Sequence, residues 1–142
     1  MRNVILVVLI ISFKLNGQFS FKELADFPGL ARDDAFAIYH NGFIYAGFGL
    51  ADGFFHVNDW WHFNLSTKTW QRLPNAPLSP RQYLRGFVLA DSLYLFGGQG
   101  PNGEFYGDFW RYSFNEREWK ALAKPPFEAR WAGVGFSLGA VG

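Results

Sequence analysis

The chain has 142 residues, 49% hydrophobic and 20% aromatic, so its length allows one domain at most and its aromatic content favours β structure. The formal net charge is +1, with no basic block that would bind nucleic acid. There is no cysteine, which excludes a disulfide, a thiol catalyst and a thiolate zinc site.

The N-terminus has the pattern of a secretory signal peptide. Arg2 is followed by a ten-residue, mostly apolar run from Val4 to Phe13, and Lys14 ends it. A membrane-spanning helix needs about 20 apolar residues, whereas ten fit the core of a signal peptide. We therefore predict a signal peptide over 1–17, a secreted, periplasmic or cell-surface product, and no membrane span after cleavage. The alternative is a buried first strand of the fold.

From about residue 21 onward, the chain aligns with itself at a shift of 49 residues without a gap. Three residue types recur in three copies: Leu24, Leu73 and Leu122; Pro28, Pro77 and Pro126; and Arg32, Arg81 and Arg130. Five further pairs match at the same shift: Tyr45 with Tyr94, Gly49 with Gly98, Asp59 with Asp108, Trp61 with Trp110, and Trp70 with Trp119. The repeats occupy 31–73, 80–122 and, in part, 129–142.

Each unit carries four strand signals separated by turn residues. They fall at 35–39, 43–46, 59–65 and 69–73, and again at 86–89, 92–96, 108–114 and 118–122, with one more at 133–138. Four short antiparallel strands at a period near 50 form one blade of a β-propeller. The predicted fold is therefore an all-β propeller over 18–142, incomplete, with about two and a half blades.

The repeated residues have predicted structural roles. Ala37 and Gly86 are small enough for strands near the propeller axis, and Gly49 and Gly98 end the second strand with positive φ. Asp59 and Asp108 are interpreted as turn-capping acceptors. Four tryptophans are predicted to fill the space between adjacent sheets: Trp61, Trp70, Trp110 and Trp119.

Two segments carry a family resemblance. In the first unit 44–49 is followed by 58–61 and by Trp70, and in the second unit 93–98 ends in Gly97-Gly98 and is followed by 108–110 and by Trp119; both resemble a Kelch repeat. The stretch from Asp26 to Arg32, with Asp-Phe-Pro-Gly before the first strand, resembles bacterial secreted Kelch proteins. The first unit has Phe48 where the family has the first glycine of the pair. The resemblance covers about 20–142 and implies a Kelch-type propeller, of which this sequence is the N-terminal portion.

The three repeated arginines are the candidate ligand-binding residues. Arg32, Arg81 and Arg130 each precede the innermost strand of a blade, and in Kelch propellers that bind acidic peptides the resemblance implies that such arginines can line the pocket. The alternative, which their repetition favours, is that they hold the loops of neighbouring blades. No catalytic residue is predicted.

No cofactor or metal is predicted. The segment Gly98 to Gly103 matches the dinucleotide pattern G-x-G-x-x-G, but strand-like residues follow it where that site needs a helix. His40, His56 and His62 lack the spacing of a metal site, and His62 is predicted to face solvent.

These features favour an exported binding or scaffold module for a protein or glycan ligand, without catalysis. The alternative is part of a Kelch-fold carbohydrate-active enzyme such as a sialic acid epimerase, whereas a galactose oxidase requires a cysteine. Because blades bury their faces against neighbours, we also expect association with further blades, in the same chain or in another, or self-association.

Overall fold

The computed structural model describes residues 22–139. The predicted signal peptide lies outside these residues. Within 22–139 every regular element is a strand. The strands are β1 (Arg32–Asp33), β2 (Phe36–His40), β3 (Phe43–Gly47), β4 (Leu50–Ala51), β5 (Phe55–His56), β6 (Trp60–Asn64), β7 (Thr69–Leu73), β8 (Arg85–Leu89), β9 (Ser92–Phe96), β10 (Phe109–Ser113) and β11 (Glu118–Leu122). In the described part of the chain, no helix is long and apolar enough to cross a membrane.

The strands form two four-stranded antiparallel sheets that repeat each other. The first sheet has the order β2-β3-β6-β7 and the second has the order β8-β9-β10-β11. Each strand of the second sheet begins 49 residues after its counterpart in the first. The left-handed backbone positions repeat at the same shift, since Asp34, Tyr83 and Ala132 have φ of 51°, 58° and 51°. The chain therefore has the all-β, propeller-like architecture that the repeat predicts.

The core lies between the two sheets. The first sheet contributes Phe36, Tyr45 and Trp60, and the second contributes Leu93, Leu95 and Tyr112 among others. The rings of Trp60 and Trp119 meet edge to face with centroids 5.5 Å apart. Burial of one such side chain contributes about 1.5–3 kcal/mol, so this interface is the main source of cohesion between the sheets.

Strand alternation decides which side chains enter that core. Trp60 and its cross-strand neighbours point to the second sheet, and Trp60 has no exposed surface. Trp61 points the other way, where it packs edge to face with Phe27 at 5.7 Å, and Trp70 also contacts Phe27 at 5.0 Å. Trp61 and Trp70 therefore lie on the face of the first sheet that is turned away from the second sheet, so they do not fill the space between these two sheets. Trp110 and Trp119 do pack against the core.

Three further elements differ from the prediction. A small sheet of order β1-β4-β5 was not foreseen, because its strands have two residues each. The predicted strand at 133–138 is not formed: Arg85 and Gly133 are hydrogen-bonded beside the second sheet, but residues 133–137 belong to no strand. By the repeat, their ladder partner would begin at 141, outside the described residues, and a strand needs such a partner. His62 is buried, because it faces the second sheet and binds Gln71.

Candidate ligand-binding site

The first repeated arginine is bound on all sides by its own blade. Arg32 forms a two-pronged ion pair with Asp59, with Nη1–Oδ1 at 2.5 Å and Nη2–Oδ2 at 2.8 Å. Its Nε donates to the carbonyl of Leu30 and its Nη1 also donates to that of Phe48. The indole of Trp61 donates to Oδ2 of Asp59 at 2.8 Å. We call this arrangement of arginine, aspartate and tryptophan the Arg–Asp–Trp network.

The second unit repeats the network atom for atom. Arg81 binds Asp108 through Nη1–Oδ1 at 2.6 Å and Nη2–Oδ2 at 2.9 Å, and Trp110 donates to the same carboxylate at 2.7 Å. The Arg81 side chain is 1% exposed, and its Nε and Nη1 donate to the carbonyls of Ser79 and Gly97. Four of the five N–H donors of each arginine are bound by the protein, so Arg32 and Arg81 connect the entry of each unit to its third strand.

The carboxylates of both networks are held ionised. Burial on its own would raise the pKa of Asp59, but the hydrogen bonds from Arg32 and Trp61 and the charge of Arg32 outweigh it and lower the pKa. The pKa of Asp108 is lowered in the same way, with burial opposed by Arg81 and Trp110. Both aspartates therefore accept from side chains of their own blade, where turn capping was expected.

The third repeated arginine has the same backbone setting and no carboxylate. Arg130 donates from Nε to the carbonyl of Glu128, two residues earlier, as Arg32 and Arg81 do. Its own carbonyl accepts from the amide of Gly98 at 2.9 Å, which reproduces the bond from Gly49 to Arg81. Among residues 22–139 no carboxylate binds its Nη atoms. Arg130 is exposed.

The glycine pair beside Arg130 is required by close backbone approach. Gly98 has φ of +104°, and a Cβ there would lie 2.8 Å from the carbonyl oxygen of Gln82. A Cβ on Gly97, at φ of +73°, would collide with the carbonyl oxygen of Arg130 itself. The glycines therefore let the chain before the third unit lie directly against the end of the second strand.

Arg130 lies at the rim of a groove on the outward face of the second sheet. The groove has a volume of about 350 Å³ and an aromatic floor that includes Tyr94, Phe96 and Phe109. Phe127 covers one end, packed edge to face on Phe96 at 4.8 Å, with the Arg130 guanidinium 4.7 Å from its ring centroid. This arrangement places a guanidinium, whose Nη atoms have no hydrogen-bond partner among residues 22–139, beside an apolar surface.

A second arginine, Arg85, also lines the groove. Arg85 donates from Nε to the carbonyl of Gly133 at 3.0 Å and from Nη1 to that of Leu84 at 2.8 Å. It stands 49 residues after Phe36, which is buried between the sheets. The signal was available, because a charged residue replaces an apolar one at an interface position of the repeat.

The remaining candidates form no site in the described residues. The segment Gly98–Gly103 leads into a bridge between Gln99 and Phe105 and then into β10, so it has the local structure of a blade loop. His40 stacks on Phe114 and lies 3.6 Å from Asp91. Within 22–139 no group of three metal-ligating side chains converges.

Comparison with solved structures finds a similar fold. A structure titled "Structure of YjhT" aligns with 76% of this chain at a TM-score of 0.66 and 20% sequence identity. The match spans 42% of that protein's chain. No protein-family model matches the sequence, and no curated protein matches it. At this identity the similarity concerns the fold alone.

Proposed function

We propose that this chain is an exported module of a Kelch-type propeller that binds a protein or glycan ligand and does not catalyse a reaction. The observation that carries the proposal is the groove on the outward face of the second sheet, with aromatic side chains on its floor and Arg85 and Arg130 at its rim. Aromatic rings and arginine side chains supply much of the binding energy in protein interfaces. Arg32 and Arg81 have a structural role in this proposal.

The binding proposal is tested with a panel of glycans and short acidic peptides, read by saturation-transfer NMR on the full chain. Val134 lines the groove and is 88% exposed, so Val134→Glu adds a charge there without disturbing the core. Phe54 is also 88% exposed and lies in another loop, so Phe54→Glu is the matched control. The proposal expects a ligand whose signal is lost with Val134→Glu and kept with Phe54→Glu. Catalytic turnover of a sialic acid, followed by proton NMR, would contradict it.

The export proposal rests on the sequence of residues 1–17. N-terminal sequencing of the secreted product should begin near Gln18, because the apolar run ends at Lys14 and Gly17 is a small residue before the cleavage point. Recovery of a soluble chain that keeps Met1 inside the cell would contradict export.

A further inference from the structure

A second cavity lies beside the outermost strand of the first sheet and shares no lining residue with the groove of the second sheet. It has a volume of about 500 Å³ and lies between the segments 28–30 and 55–59 and the end of β7. Small-molecule sites in proteins have volumes of about 300–1,000 Å³. We call this cavity the β7 pocket. Its polar wall includes Asn58, Arg72 and Asn75.

The polar wall is a chain of hydrogen bonds that orients one guanidinium group. Nδ2 of Asn58 donates to the carbonyls of Ala76 and Leu78 at 2.9 and 3.0 Å, which fixes the Asn58 side chain. Nδ2 of Asn75 donates to Oδ1 of Asn58 at 3.4 Å, and Oδ1 of Asn75 accepts from Nη2 of Arg72 at 3.1 Å. The backbone therefore sets the orientation of Arg72 through two asparagines.

The charge of Arg72 has no carboxylate partner among residues 22–139. Its guanidinium lies 5.7 Å from the ring centroid of Trp61, and Asn75 is its one hydrogen-bond partner in that part of the chain. The carboxylate on the pocket wall, Asp59, is already bound by Arg32. The β7 pocket therefore has a positive charge and unused N–H donors, which favour an anionic ligand.

The three polar residues of the wall are not part of the repeat. Their counterparts 49 residues later are a glycine, an alanine and a lysine: Gly107, Ala121 and Lys124. Ala121 and Lys124 are exposed, although the face of the second sheet that carries Ala121 packs against the first sheet. The positions of Arg72 and Asn75 are thus open to solvent even beside a neighbouring sheet, so this pocket does not mark a place where another unit packs.

Apolar side chains also line the pocket, and two of them, Leu30 and Phe55, are 53% and 48% exposed. A uronic acid residue combines a carboxylate, several hydroxyl groups and an apolar face of C–H bonds. The guanidinium fork of Arg72 matches the carboxylate, and the amide of Asn75 retains an N–H donor and a lone pair for hydroxyl groups. We propose that the β7 pocket binds a uronic acid residue, with Arg72 bound to its carboxylate. This site is additional to the groove of the second sheet.

The test titrates the full chain with methyl glucuronide and with methyl glucoside, followed by amide NMR shifts. The two sugars differ only in a carboxylate and a hydroxymethyl group. We expect saturable binding of the glucuronide, at least about tenfold tighter than that of the glucoside, because one charge-assisted fork forms. Arg72→Gln should remove this difference. Lys124→Gln, which removes an exposed charge at the matching place in the second unit, should leave it unchanged.

Asn75→Asp is a second variant that keeps Arg72. The new carboxylate would lie beside the guanidinium and occupy its fork, so binding of the glucuronide should weaken at least about tenfold. The glucoside, which has no carboxylate, should be affected less. Circular dichroism of each variant checks that it is folded.

The possible results separate this inference from the binding function of the groove. Equal affinity for the two sugars, or equal weakening by Arg72→Gln and Lys124→Gln, would overturn the pairing of Arg72 with a carboxylate. Loss of glucuronide binding in Val134→Glu but not in Arg72→Gln would overturn the β7 pocket as its location. No binding of the glucuronide would overturn the uronic acid site, and the ligand panel would still decide whether the groove binds anything.

Discussion

The two faces of the second sheet both carry aromatic side chains, but within residues 22–139 another sheet covers only one of them. The inner face places Leu93, Leu95 and Tyr112 against the first sheet, and none of the three is more than 2% exposed. The outer face carries Tyr94 and Phe109 at the floor of an open groove. The residue types are similar, so position relative to a neighbouring sheet decides whether they stabilise the fold or are available to a ligand.

Arg81 and Arg130 show the same difference with a charged side chain. They are 49 residues apart and share their backbone contacts, yet Arg81 is buried and paired with Asp108 while Arg130 is exposed. A buried ion pair is costly to break because the remaining charge has no partner. The repeat therefore produces a structural residue in one unit and a candidate binding residue in the next.

The largest expected loss of stability comes from removing a side chain of the interface between the two sheets. Trp60→Ala should lower the free energy of unfolding by about 3–5 kcal/mol, because it removes a fully buried ring between the sheets. Its repeat counterpart Phe109→Ala, whose ring on the outer face is only partly buried, should cost less, about 1–2 kcal/mol. Urea unfolding followed by tryptophan fluorescence and circular dichroism measures both. Similar losses for the two variants would contradict the difference between the faces.

The two arginines give the next effect. Arg81→Ala should cost roughly 2–4 kcal/mol, somewhat less than for a fully buried pair because the Asp108 side chain is 37% exposed. Arg130→Ala should change stability by less than about 0.5 kcal/mol, since no carboxylate pairs with Arg130 in the described residues. Chemical unfolding of both variants measures the two changes in unfolding free energy. A destabilisation by Arg130→Ala as large as that by Arg81→Ala would show that Arg130 is structural as well.

Substitution of two glycines with positive φ, Gly98 and Gly103, should lower the unfolding free energy by a smaller amount. Gly98→Ala should cost about 1–2 kcal/mol, because it places a Cβ at φ of +104° and 2.8 Å from a backbone oxygen. Gly103→Ala, at φ of +80° with only the flexible amide of Gln99 within 4 Å, should cost less. Thermal unfolding of both variants measures which substitution is more destabilising. A larger loss for Gly103→Ala than for Gly98→Ala would contradict the close backbone approach at Gly98.

The smallest expected effect is the change of the unfolding free energy with pH near neutrality. Since the folded pKa values of Asp59 and Asp108 lie below the unfolded value of about 3.9, their contribution is complete above that pH and is lost as the pH falls below it. Unfolding free energy should therefore change little from these groups between about pH 5 and 7 and fall in more acid solution. Asp108→Asn should show a shallower acid loss than the unchanged chain, and an unaltered acid profile would contradict the role of the pair.

Much of the fold could be predicted from the sequence, because a gapless repeat and period-two patterns are local signals. The strands at 69–73, 92–96 and 118–122 were predicted with the bounds observed. The face that each tryptophan occupies was harder: Trp60 and Trp61 are adjacent, and only the ladder register decides which one points to the core. The groove depends on which face has a neighbouring sheet, and this is a tertiary property that no local pattern contains.

The contrast between covered and uncovered aromatic surface is tested most directly by hydroxyl-radical footprinting of the full chain at low micromolar concentration. Trp60 has no exposed surface and Trp131, beside the third arginine, is 47% exposed. We expect Trp131 and Phe127 to be oxidised at least about tenfold faster than Trp60. Equal rates for Trp60 and Trp131 would contradict it, because the two sheets would then not enclose a core that the outer face lacks.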